Sequence, residues 1–171
     1  GEGEFALGMR GTVRDLRIYN GPLTEVESLL AGRTPAEPAT GWFGVEAEVD
    51  DSRPEAVRAR IQGPMGVLAT NGLPRDFVTG DLVTVRLAAH GGDDAKLYAA
   101  TTAGKREVFL PLKGDGRMHS YIVPMDAYPE WRGELETLAL AFGEDTRDVA
   151  LAFVRSGPDA AGPPELLVEQ C

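Results

Sequence analysis

The chain is poor in the residues that build metal sites and catalytic centres. Its 171 residues include one cysteine, Cys171, and two histidines, His90 and His119. One cysteine cannot close an intrachain disulfide, and neither histidine has a partner at metal-ligand spacing. Zinc and histidine-based catalysis are therefore not expected. Cys171 can pair with another chain, it lacks the three following residues that prenylation requires, and by itself it leaves the redox compartment open. No apolar run approaches the ~18 residues of a membrane span. Residues 1–8, GEGEFALG, have neither the basic nor the apolar region of a secretory leader, so a cleavage point or an arbitrary boundary is expected there. There is no glycine-rich phosphate loop before a helix, no G-x-S-x-G and no H-E-x-x-H. A carboxylate pair for glycoside hydrolysis cannot be singled out from 27 acidic residues. No enzyme and no cofactor is expected. A basic face is missing too: the net charge of −10 argues against nucleic acid and against anionic lipid headgroups. It reads as solubility, or as a surface for a cation or a basic partner.

What is present is a series of short apolar runs. From Trp42 onward these are WFGVEAEV, AVRARIQ, MGVLAT, LVTVRLAAH, KLYAATT, EVFLPL, MHSYIVPM, ETLALAF and DVALAFVR. Glycine, aspartate and proline separate them roughly every ten residues, the pattern of an all-β sandwich or jelly roll. Val57, Ala59 and Ile61 fall on one face of their strand and Arg58, Arg60 and Gln62 on the other. Val83, Val85, Leu87 and Ala89 share a face in the same way. No long stretch has helical periodicity.

The first 32 residues differ in character. Val13 to Tyr19 roughly alternates, Asn20-Gly21-Pro22 breaks the pattern, and Thr24-Glu25-Val26-Glu27 has the form of a capping box. A short helix through Leu30 and a stop at Gly32 follow from this. The run Gly11-Thr12-Val13-Arg14-Asp15-Leu16-Arg17-Ile18-Tyr19-Asn20, with the helix start after it, resembles the last strand and short helix of a laminin-G-like or concanavalin-A-like jelly roll. The other strands of such a domain are absent. A lone strand with one apolar face is unstable in water, so this segment must dock on residues 42–157 or on another chain. Residues 33–41, RTPAEPATG, read as a linker. The tail, residues 158–171, carries Leu166, Leu167 and Val168 as candidate docking residues.

Residues 81–155 carry a second resemblance. Leu82 to Leu87, Ala95 to Thr102, Asp115-Gly116-Arg117-Met118-His119-Ser120-Tyr121, Tyr128-Pro129-Glu130-Trp131-Arg132-Gly133 and Val149 to Arg155 follow the order and spacing of galactose-binding-like β-sandwiches of secreted, multi-module bacterial proteins. Met118 replaces the usual aromatic, and Ala152 stands where an acidic residue is common. The resemblance implies an antiparallel β-sandwich over residues 42–157, an extracytoplasmic location (secreted, cell-surface or periplasmic) and a noncatalytic carbohydrate-binding role. It does not fix that role, because one fold hosts many functions.

Tyr98, Tyr128 and Trp131 are the candidate ligand-binding residues, since an aromatic ring offers a sugar a flat apolar platform. The competing reading makes Trp131 and Tyr128 a plug and hinge at one end of the sandwich, and for both residues this reading is favoured. Tyr98 lies on the strand face opposite Leu97 and Ala99, so one of the two sets is expected to be exposed; Trp42 is a lesser candidate. His119 reads as a hydrogen-bonded structural residue and His90 as solvated. Glu46, Glu48, Asp50 and Asp51 form an acidic cluster, read as a charged strand edge or, less favoured, as calcium ligands; no metal is assigned.

Two main readings stay open, beside a weaker third in which the chain is an accessory module of a polysaccharide-degrading enzyme whose catalytic part is not in this sequence. One is a noncatalytic glycan-binding module. The other is a structural or assembly subunit of a larger extracytoplasmic, membrane-associated complex, docking through residues 1–32 and the tail. A protein partner in trans predicts that limited proteolysis of the isolated chain cuts within residues 1–32; full protection in a monomer would rule that partner out.

Overall fold

The computed structural model describes residues 23–31, 41–50, 52, 53, 55–72 and 79–157. The candidate strand at residues 13–19, the linker except Gly41, and the tail lie outside these. The described residues form one short helix and ten strands. The helix is α1 (Glu25–Leu30). The strands are β1 (Phe43–Val45), β2 (Ala47–Asp50), β3 (Val57–Ile61), β4 (Met65–Thr70), β5 (Val83–His90), β6 (Asp94–Thr101), β7 (Gly104–Pro111), β8 (His119–Val123), β9 (Leu135–Gly143) and β10 (Asp148–Ser156). They pair into two five-stranded sheets, one in the order β1-β4-β9-β6-β7 (sheet A) and the other in the order β2-β3-β10-β5-β8 (sheet B). Every pairing is antiparallel. The fold is the antiparallel β-sandwich that the spacing of apolar runs implies.

Alternation sets the core. Val83, Val85, Leu87 and Ala89 of β5 face Leu97, Leu138, Leu140 and Phe142 across the sandwich, and all are buried. The chain passes from sheet A to sheet B in a single residue, Glu46, which has φ 50. This left-handed conformation is uncommon outside glycine. The Glu46 carbonyl accepts the Gln62 N–H at 2.9 Å, which holds the corner against β3. Between β5 and β6, Gly91 and Gly92 take φ 74 and 72, a turn that side-chain-bearing residues would resist.

One end of the sandwich is closed by the segment between β8 and β9. Two short 3-10 turns, Met125–Ala127 and Pro129–Trp131, carry the chain from sheet B to sheet A. Met125 and Trp131 are buried there. The Trp131 indole N–H donates to the Asp81 carbonyl at 3.0 Å, so its one polar atom is satisfied inside the core. Thr101 Oγ1 donates to the carbonyls of Glu130 and Arg132 and ties this turn to β6.

The helix has a place that the sequence left undecided. Its capping box forms as expected: the Glu27 N–H donates to Thr24 Oγ1 at 3.2 Å, and the Thr24 N–H to Glu27 Oε2 at 2.8 Å. A six-residue helix has little stability alone. It is held by burying Val26 and Leu30 on the outer face of sheet A, against Val45, Val67, Ala69, Ala100, Ala139 and Ala141. Small residues let it approach the sheet closely. Each fully buried apolar side chain contributes roughly 1.5–3 kcal/mol before ordering costs, so this contact is enough to seat the helix but is modest.

Replacing Trp131 with alanine should destabilise the fold by about 3–5 kcal/mol, through a cavity in the core and an orphaned carbonyl at Asp81. Urea unfolding followed by circular dichroism measures this; a loss below about 1 kcal/mol would contradict the role of Trp131 as the plug of this end.

Candidate functional site

The outer face of sheet B carries an open groove of about 670 Å³. Its walls come from edge strand β2, from β3, from β10 and from β5, and strand register puts their side chains in rows. In one row Glu48 lies opposite Arg60, Arg60 opposite Asp148, and Asp148 opposite His90. In the next, Asp50 lies opposite Arg58, Arg58 opposite Ala150, and Ala150 opposite Ala88. The two alanines lack the bulk to fill their end of the second row, beside Asp148 and His90, so the sheet surface is hollow at that point. Gly116 bounds one end.

The groups along the groove are planar and rich in hydrogen-bonding capacity. Arg60 Nε lies 3.8 Å from Asp148 Oδ1, with both side chains largely exposed; such a pair contributes little to stability and is open to a ligand. Gln62 Nε2 donates to Glu48 Oε2 at 3.5 Å. Asp50 Oδ1 accepts the Ser52 N–H at 3.0 Å, and the side chain and backbone of Ser52 hold its carboxyl below the usual range. Of the acidic cluster expected from sequence, Glu46 turns the corner, Glu48 and Asp50 lie opposite guanidinium groups, and Asp51 lies outside the described residues. Among the described residues no three acidic, histidine or cysteine side chains gather as a ligand set for a metal ion.

The aromatic candidates lie elsewhere, and on three different surfaces. Trp131 is in the core with no exposed face, as the plug reading has it. Tyr128 is half-buried at the same end, packed against the core, with the Arg106 guanidinium 4.0 Å from its ring centroid. This end is opposite the groove, since Trp131 bonds to Asp81 before β5 begins and His90 ends that strand. Tyr98 faces outward from sheet A, yet it is only 5% exposed. The expectation that either Leu97 and Ala99 or Tyr98 would be exposed is corrected: sheet B covers the first pair and α1 covers Tyr98. Trp42 packs partly buried against the core.

Beneath α1, Tyr98 meets a charged partner. Its hydroxyl donates to Glu27 Oε1 at 3.3 Å, and the Lys105 ammonium pairs with the same oxygen. Burial would raise the Glu27 carboxyl, but Lys105, the Thr24 N–H and the Tyr98 hydroxyl outweigh it and hold the carboxyl below the usual range. Burial, and then the Glu27 carboxylate, push the Tyr98 hydroxyl well above its ordinary value.

His119 is a structural residue, as expected. Its Nε2 lies 2.9 Å from Asp115 Oδ1, and its ring meets Tyr121 edge-on. The Arg117 N–H and then His119 hold the Asp115 carboxyl low. His90 is exposed at the groove.

Comparison with known proteins adds the fold. No protein-family profile and no curated protein matches the chain. Solved structures do. A variant of a family 29 carbohydrate-binding module superposes with a TM-score of 0.52 at 14% identity, over 75% of this chain and 94% of that one. The sandwich shares the fold of carbohydrate-binding modules. A second variant of that family 29 module, in complex with cellulohexaose, gives a TM-score of 0.51 at 13% identity, over 70% of this chain and 86% of that one. In PfGH50B the match covers 70% of this chain and 23% of that chain, with a TM-score of 0.48 at 12% identity. The chain thus spans less than a quarter of that protein. Identities this low speak for architecture alone.

The groove was not picked out from sequence. Its signal was there in part, in the outward-facing Arg58 and Arg60 and in the acids Glu48 and Asp50, but nothing in the order of residues says that β10 and β5 lie beside them.

The Glu27 carboxyl ties the seating of α1 to pH. Its value in the fold is depressed, so the stability it lends α1 is present above the ordinary glutamate range. That stability is lost as pH falls through the lowered value. Acid should loosen α1, and Glu27→Gln should weaken it by about 1 kcal/mol at neutral pH, a figure kept low because Lys105 is half exposed. Mass-mapped modification of Tyr98 across pH tests this; no dependence below the glutamate range, in a chain that is still folded, would contradict it.

Proposed function

We propose that the chain is a noncatalytic glycan-binding module of an extracytoplasmic protein, and that the groove across sheet B takes the glycan. The supporting observation is the groove itself: guanidinium, carboxylate and imidazole groups in rows over a floor of alanines, on a sandwich of carbohydrate-binding-module fold. Such groups bond to pairs of sugar hydroxyls, and the small floor gives a pyranose ring room to approach. Charge narrows the ligand class. Glu48, Asp50 and Asp148 carry three negative charges against two positive ones on Arg58 and Arg60, and the whole chain carries −10. A polyanionic glycan would be repelled, which leaves a neutral one. The cellulohexaose bound by the family 29 module is a suitable first probe.

A second reading is favoured by the burial of Trp131 and Tyr98, which removes two of the three candidate platforms. In it the chain is a structural or assembly subunit of a larger extracytoplasmic complex, docking through residues 1–32 and 158–171. Among the described residues no helix is long and apolar enough to cross a membrane, so attachment to a membrane-associated complex would run through protein contacts. Native purification followed by mass determination separates the two readings.

Titration calorimetry with cellohexaose, backed by an array of neutral and charged glycans, tests the first reading. Binding is expected to fall by about tenfold in each of Arg60→Ala and Asp148→Ala, the loss of roughly one charge-assisted hydrogen bond. Absence of binding to any glycan, or full affinity in both variants, would overturn the assignment.

A further inference from the structure

The face hidden beneath α1 has the make-up of a second binding platform. Register places Tyr98 of β6 between Ala139 of β9 and Glu107 of β7, and Lys96 between Ala141 and Phe109. Paired residues share a sheet face, as do residues two apart. Tyr98, Phe109, Glu107 and Lys96 therefore lie on one surface, with Lys105 opposite Ala100 at its margin. This combines two aromatic rings, a floor of small residues and charged hydrogen-bonding groups at the rim. Flat rings receive the C–H faces of sugars, while rim groups bond to hydroxyls.

Two independent observations point to a ligand on this surface. Phe109 is 59% exposed, the one large apolar side chain among the described residues that is. Glu107 Oε1 is buried without a hydrogen-bond partner, an arrangement that costs stability unless something supplies a donor. The part of the platform under α1 is already satisfied, and the group satisfying it is informative. Glu27 is 8% exposed, and one of its oxygens receives both the Tyr98 hydroxyl and the Lys105 ammonium. A sugar hydroxyl oxygen could accept from the same two donors.

We propose that the outer face of sheet A is a latent second glycan platform built on Tyr98, Phe109 and Glu107, and that α1 is its displaceable cover, with Glu27 standing in for the hydroxyl oxygens of the sugar. This rests on the glycan-binding reading above. The cover is suited to removal. It is six residues long, it is anchored by Val26 and Leu30, and its polar latch includes a half-exposed lysine. Displacement would uncover a surface continuous with Phe109.

The test uses the full chain with its groove disabled by Arg60→Ala and Asp148→Ala, so that binding at the second face is seen alone. Glu27→Gln and, separately, Val26→Asp are then added to release α1. Circular dichroism confirms the fold, and mass-mapped nitration reports the accessibility of Tyr98. The expected result is a rise in Tyr98 nitration together with cellohexaose affinity above that of the groove-disabled parent, by up to about fivefold for Glu27→Gln and about tenfold for Val26→Asp. Adding Tyr98→Ala should abolish the gain. Three outcomes overturn the proposal: neither release variant raises Tyr98 accessibility; Tyr98 becomes accessible with no gain in binding; or the gain survives Tyr98→Ala. If the unaltered chain binds glycans through its groove, these outcomes leave the module assignment standing. If neither the unaltered nor the released chain binds any glycan, both readings fall.

Discussion

At its centre sheet A is apolar on both faces, and the rest of the molecule is arranged around covering that centre. The strand LALAF shows this most simply. Leu138, Leu140 and Phe142 point into the sandwich, while Ala139 and Ala141 point out and are buried just as completely. A sheet with two dry faces needs two covers. Sheet B supplies one and α1 the other. The second cover is small because the patch beneath it is built mostly of alanines and valines, over which one short helix suffices.

Sheet B is under no such demand. Its inner residues join the core, and its outer ones along the groove are Glu48, Asp50, Arg58, Arg60, Asp148 and His90, with Ala88 and Ala150 beside them. This asymmetry leaves sheet B a solvated, hydrogen-bonding surface and gives sheet A an outer face occluded where α1 lies. The crossover at Glu46 makes the division sharp, because β1 and β2 are consecutive in the chain yet belong to different sheets. Glu46 is taken up by that corner, while Glu48 and Asp50 stay together on the outer face of β2, each opposite a guanidinium group.

The aromatic segment between β8 and β9 illustrates how one sequence feature can point two ways. Tyr128-Pro129-Glu130-Trp131 has the look of a sugar platform when read as a loop. In the fold the chain must cross from one sheet to the other there, and the open end of the sandwich needs a large apolar plug. Trp131 fills it and passes its N–H to the Asp81 carbonyl, whereas Tyr128 stays at the rim under Arg106.

Much of the architecture was legible in local pattern. Alternation in AVRARIQ and LVTVRLAAH assigned inner and outer faces correctly, and the Thr24–Glu27 capping box placed the helix start. The strands could be read because a half-buried strand needs only its own neighbours to show its period. The surfaces could not. Tyr98 was placed on the correct face of β6 but was expected to be exposed whenever Leu97 and Ala99 were not, since nothing local reveals that a helix some seventy residues earlier covers it. Likewise the groove joins β2, β3, β10 and β5, whose neighbourhood depends on strand order. By itself, then, the sequence determined strand identity, core faces, the helix cap and the acidic character of the surface. Tertiary structure decided which aromatics are hidden and which charges share a groove, because those follow from pairings between residues far apart in the chain.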